Sequence, residues 1–153
     1  MKVAVGTDHA GLPLKAAVID ELNRLGHEVI DYGTNEPLSV DFPDYAGFVG
    51  RAIQDGVAER GILLCGSGVG VCIAANKIHG VRASIAHDTY SAHQGVEHDG
   101  MNVLCLGARI IGEALAREIV QFFINARFQE EARFIRRVEK INTMEATGTA
   151  ILS

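Results

Sequence analysis

Gly61-Ile62-Leu63-Leu64-Cys65-Gly66-Ser67-Gly68-Val69-Gly70-Val71-Cys72-Ile73-Ala74-Ala75-Asn76-Lys77 is an apolar run that breaks into closely spaced glycines and then resumes in Val, Ile and Ala. The run reads as a buried strand, the glycines as a tight loop, and the residues after them as the first turns of a helix packed on a sheet. Without side chains, glycines let successive backbone N–H groups turn toward one point, and the helix start adds unpaired donors and a positive dipole end. The stretch is therefore an anion site built on a strand–loop–helix unit. Cys65 stands at its mouth, an electropositive setting of the kind that lowers a thiol pKa and supplies thiolate. It is the first candidate for chemistry, against the plainer reading of a small hydrophobe at a strand end. Cys72 and Cys105 lie inside apolar runs and read as core.

Outward from this unit the chain alternates. Residues 2–6, 28–32, 61–64, 81–86 and 102–106 read as strands. Helices are expected over 12–25, 45–53, the turn after the glycine loop, 89–96 and 112–125, with a last one carrying Phe134, Val138 and Ile141 on one face. Gly26 stops the first helix. Strands alternating with helices give the α/β class: a three-layer Rossmann-like or flavodoxin-like fold, with helices on both faces of a five-stranded parallel sheet and a C-terminal helix. The strand order expected is 2-1-3-4-5. Residues 1–145 then form one domain and 146–153 a tail without clear period. Ligands of such sheets gather at the carboxyl ends of the strands, at the switch point of the winding, which sets Asp8 and His9 beside Cys65.

The composition narrows the function. With 153 residues, 48% hydrophobic and 22% charged, the chain suits a globular domain able to bury a core. A net charge of −5 opposes a nucleic-acid or anionic-membrane footprint, so neither partner is expected. Lys2 precedes only three apolar residues before Gly6, so no signal peptide is read, and no segment reaches bilayer length. Three cysteines without a C-x-x-C pair fit neither a disulfide framework nor a zinc ribbon, and a cytoplasmic location is expected.

Other polar clusters also have plainer readings. His87, Asp88, His93, His98 and Asp99 include possible metal ligands, but their spacing lacks the i, i+4 histidine pair with an intervening Glu of a zinc helix, and no metal is assigned. His98, expected just beyond a helix, reads either as a general acid or as a solvated loop histidine. Arg133 and Arg137 are four apart, hence on one helix face suited to a dianion, and Arg109 could join them. The glycine spacing 66, 68, 70 departs from G-x-G-x-x-G, and Val71 stands where a cysteine-phosphatase loop requires arginine.

Several runs together resemble the family of ribose-5-phosphate isomerase B and the galactose-6-phosphate isomerase subunits. They are Gly6-Thr7-Asp8-His9-Ala10-Gly11, Val29-Ile30-Asp31-Tyr32-Gly33-Thr34, Asp41-Phe42-Pro43-Asp44-Tyr45, Cys65-Gly66-Ser67-Gly68-Val69-Gly70, Ala74-Ala75-Asn76-Lys77, Asn102-Val103-Leu104, and Arg133 with Arg137-Val138-Glu139. The resemblance implies a cofactor- and metal-independent aldose–ketose isomerisation of a small sugar phosphate, ribose 5-phosphate to ribulose 5-phosphate, through a cis-enediolate. By it Cys65 is the base, Gly66, Ser67, Gly68, Val69 and Gly70 the anion hole, Ser67 a proton relay, and His98 the acid that opens the sugar ring. Asp8, His9, Asp99, Arg109, Arg133 and Arg137 complete the substrate site. Family members are homodimers or homotetramers whose sites take residues from two subunits. Asp99 stands where the family commonly has Asn, which bears on substrate choice. The alternatives are isomerisation of a tetrose, allose or galactose phosphate, or a non-catalytic sugar-phosphate-binding subunit.

Overall fold

A computed structural model describes residues 1–150. In chain order the elements are β1 (Lys2–Thr7), α1 (Leu12–Arg24), β2 (Glu28–Asp31), α2 (Phe42–Gln54), β3 (Arg60–Cys65), α3 (Val69–Ala75), β4 (Ala83–Ile85), α4 (Thr89–Asp99), β5 (Val103–Gly107), α5 (Glu113–Asn125) and α6 (Ala132–Thr147). All strand pairs are parallel. The α/β three-layer fold is the one expected, with one correction: the order is β2-β1-β3-β5-β4, not 2-1-3-4-5. Composition explains the exchange. All five residues of β5, Val-Leu-Cys-Leu-Gly, are buried, as suits a strand flanked on both sides and covered on both faces. The three residues of β4 include exposed Ser84, which an edge tolerates.

The winding follows from the right-handed crossover rule. The two steps toward the β2 side, β1 to β2 and β4 to β5, pass through α1 and α4. The two steps the other way, β2 to β3 and β3 to β4, pass through α2 and α3. Opposite directions require opposite faces, and the core divides accordingly. Leu14, Val18, Leu22, Val96, Ile119 and Phe123 cover one face of the sheet. Ala46, Val49, Ala52, Val71 and Ala75 cover the other. Close approach of α2 is built in: a Cβ on Gly61 would stand 2.5 Å from Val49 Cγ1. Winding reverses between β1 and β3, so a crevice opens where Thr7 and Leu64 are register partners.

Two boundaries move from their expected places with functional effect. Helix α4 runs through Asp99, because Asp88 Oδ1 accepts from Ser91 N at 2.7 Å at its start and Gly100, at φ +63°, stops it. His98 and Asp99 are thus helical residues, not loop residues. Helix α6 continues to Thr147, two residues into the expected tail; residues 151–153 of that segment lie outside the described residues. No helix among the described residues is long and apolar enough to cross a membrane.

Candidate active site

Strand β1 ends in Thr7, and the chain turns at once into α1. Asp8 shapes this turn: its Oδ1 accepts from the backbone N–H groups of Ala10 and Gly11, each at 2.9 Å. The turn is pressed against β3, since a Cβ on Gly11 would stand 2.5 Å from Leu64 O. Asp8 is 5% exposed yet lines the crevice, so one oxygen holds the loop while the carboxylate faces the cleft. His9 follows, its Nδ1 accepting from Val40 N at 3.2 Å. With that lone pair used, a neutral His9 ring carries its proton on Nε2. The same bond ties the loop between β2 and α2 to the site, and Lys15 anchors its start through Asp31 at 2.8 Å and the Thr34 carbonyl at 3.0 Å.

On β3 the last residue is Cys65, opposite Gly107 of β5. The loop after it curls back so that Gly68 N donates to Cys65 Sγ at 3.0 Å. Gly68 adopts φ +81°, and its backbone lies on the Leu106–Gly107 peptide, where a Cβ would meet Leu106 C at 3.2 Å. Val69 N is taken by Ser67 Oγ at 3.2 Å, and the first intrahelical bond of α3 is Cys72 N to Gly68 O. Gly70 and Val71, in the first turn of α3, have no acceptor four residues back, so their donors point out of the helix start. Glycine at 70 leaves room for the Phe42 ring, which would lie 2.9 Å from a Cβ there and would have to shift to admit one.

Asp8, His9, Phe42, Cys65, Ser67 and Arg109 share one open cleft of about 420 Å³. Arg109 reaches it from the turn after β5, where its N–H donates to Gly66 O at 3.0 Å and its Nη1 lies 3.3 Å from where a Gly66 Cβ would stand. The cleft therefore combines a thiol, a curled set of backbone donors, a carboxylate, an imidazole and a guanidinium.

His98, Asp99, Arg133 and Arg137 do not line it. They form a second cluster on α4 and α6. The His98 ring stacks on Phe134 at 4.2 Å and 11°, and Arg133 lies over the same Phe134 ring at 4.5 Å. Arg137 is 6.0 Å from that ring. Arg133 also donates to Glu131 at 2.8 Å. So Arg109 joins Cys65 and not the α6 arginines. Asp99 lines a separate groove of about 780 Å³ beside the β4 edge, with Arg82, Gln94, Met144 and Glu145.

The remaining histidines of the polar cluster go to separate partners. His93 pairs with Glu97 at 3.1 Å. His87 Nε2 accepts from Gly107 N at 2.9 Å, and burial holds its pKa below the ordinary histidine value. Sequence reading did not find this role, since nothing in the spacing of His87 and Gly107 announces a contact. It matters because Gly107 is the floor under the glycine loop: a Cβ there would sit 2.7 Å from Ser67 C. Cys105 is buried as expected, but Cys72 is half-buried, and the neighbouring Cys105 thiol draws its pKa down to about 7.

Comparison with known proteins identifies the family of the chain. The family model described as Ribose/Galactose Isomerase matches residues 3–141. The chain is 42% identical over 144 residues to ribose-5-phosphate isomerase B of Escherichia coli, covering 94% of this chain and 96% of that one. It is also 42% identical over 147 residues to D-erythrulose-4-phosphate isomerase of Pectobacterium atrosepticum, covering 95% of each. The solved structure of Clostridium thermocellum ribose-5-phosphate isomerase B superposes with a TM-score of 0.93 at 42% identity, covering 97% of this chain and all of that one. A model match across nearly the whole length, with relatives of this identity and coverage, means that the chain belongs to the ribose/galactose isomerase family.

Proposed function

We propose that the protein interconverts an aldose and a ketose phosphate, ribose 5-phosphate and ribulose 5-phosphate, through a cis-enediolate. The observation that carries this reading is the Cys65 sulfur bonded to Gly68 N at 3.0 Å, in one cleft with Asp8, His9 and Arg109. Cys65 takes the C2 proton of the open-chain aldose and returns it to C1. As C2 loses its proton, negative charge moves to the former carbonyl oxygen. Donors of the 66–70 loop answer that charge where it develops, which lowers the barrier without tightening the ground state. Ser67 relays the hydroxyl proton, while Asp8 and His9 hold the sugar.

His98, Arg133 and Arg137 enter this reading from a second copy of the chain in a homodimer or larger homo-oligomer. Their separation from Cys65 within one chain supports that arrangement. In it His98 acts on the sugar ring oxygen, and the arginines, with Arg109, hold the phosphate through charge-assisted hydrogen bonds.

Replacing Cys65 by Ala tests the base directly. Turnover and exchange of the C2 proton in deuterated water are expected to vanish while the sugar phosphate still binds, because the backbone donors and arginines remain. Near-normal exchange would remove Cys65 from the mechanism. Isomerisation of a tetrose phosphate is the second reading, favoured by the equal identity to the D-erythrulose-4-phosphate enzyme. A panel of tetrose, pentose and hexose phosphates ranked by kcat/KM decides between them.

A further inference from the structure

On α4, Gln94 and His98 are four apart and share one side of the helix, and Asp99 ends its last turn. Gln94 Nε2 lies 3.0 Å from His98 Nδ1 and 3.3 Å from Asp99 Oδ2. An ionised carboxylate only accepts hydrogen bonds, so the nitrogen of the Gln94 amide, and not its oxygen, must face Asp99. That nitrogen has two hydrogens. One goes to Asp99, and the other points at His98 Nδ1, which must then present a lone pair. A neutral imidazole has a single ring proton, so it resides on Nε2. The plane of the ring is held independently by the stack on Phe134, a residue 2% exposed and overlain by the Arg133 guanidinium.

We infer that Gln94 and Asp99 are positioning residues which fix the neutral His98 ring in its Nε2–H tautomer, Asp99 by orienting the Gln94 amide and Gln94 by donating to Nδ1. The inference rests on the proposed role of His98 for its catalytic meaning: the group presented to the sugar ring oxygen is the Nε2–H donor. It also gives Asp99 a task in this chain. Its carboxylate acts through Gln94, and an asparagine at that place retains one acceptor oxygen for the same purpose.

The test reads the tautomer itself. Protein labelled with nitrogen-15 in its six histidines gives two-bond proton–nitrogen correlations that separate protonated from bare ring nitrogens, and His98→Gln identifies the His98 signals. With the ring in its neutral state, wild type is expected to show the Nε2–H form at His98. Gln94→Leu and Asp99→Ala are expected to give a mixture of tautomers, and Asp99→Asn to keep the wild-type pattern. An Nδ1–H form in wild type, or an unchanged pattern in Gln94→Leu, overturns the inference.

Turnover is measured on the same proteins. Gln94→Leu is expected to lower kcat roughly fivefold at unchanged KM, the size of one hydrogen bond. If the tautomer changes while kcat does not, His98 loses its place in the proposed reaction and the positioning of its ring stands.

Discussion

Cys65 is 5% exposed, yet its sulfur meets the loop that frames the cleft, because β3 carries it to the sheet's edge of buried space and the chain then folds back over it. His87 supports this arrangement from below through Gly107 N, and its buried ring favours the neutral state. The sign of the resulting pH dependence is fixed. The unfolded ring takes a proton near pH ~6.5, the folded one only at lower pH, so the unfolded state binds more protons in that window and stability falls as pH falls through it. His27, lowered by burial and by the N-terminus, acts in the same direction. Thermal melts of His87→Gln are expected to decline less below about pH 6.5 than those of wild type. Equal acid limbs would show that the Gly107 contact does not govern titration. The sequence singled out Cys65, Asp8 and His9 because each stands at a strand end, but His87 meets Gly107 only because β4 pairs with β5, and that pairing left no local mark.

At the scale of elements, the turn from β3 into α3 lies on β5 through the Gly68 backbone. Gly68→Ala forces a side chain into a left-handed backbone and sets its Cβ 3.2 Å from the Leu106 carbonyl carbon. The conformational cost alone is about 1–2 kcal/mol, and the contact is with backbone that cannot give way. Both stability and kcat are expected to fall. Gly56→Ala is the control: its φ is +68° with nothing within 4 Å, so it is expected to lose stability and keep its turnover. Equal effects of the two on kcat would mean that loop shape is irrelevant to chemistry. The element boundaries that sequence placed well are those set by caps, as at Gly26. The end of α4 was placed too early, since the polar His98 and Asp99 carry no apolar period, and only Gly100 at φ +63° marks the stop.

Within one chain the Cys65 and Arg109 cleft stands apart from His98, Arg133 and Arg137, and the proposed function joins the two sets across subunits. Mixing Cys65→Ala with His98→Ala protein and allowing subunits to exchange is expected to restore part of the activity that each lacks. Hybrid assemblies would contain some sites with both residues intact. Demonstrated exchange without recovery would confine each site to one chain. That Arg133 and Arg137 share a helix face was legible from their spacing of four. Their distance from Cys65 was not, because it depends on where α6 docks beside α4.

The sequence alone determined the α/β class, the strand–loop–helix unit at Cys65 and the meeting of Asp8 and His9 with it, because hydrophobic period, glycine placement and strand ends are local properties written residue by residue. Tertiary structure decided the exchange of β4 and β5 in the sheet, the union of Arg109 with Cys65, and the parting of His98 from both. Strand order depends on which apolar strand is covered on both faces, and side-chain company depends on helix docking; both are settled by packing between segments far apart in the chain.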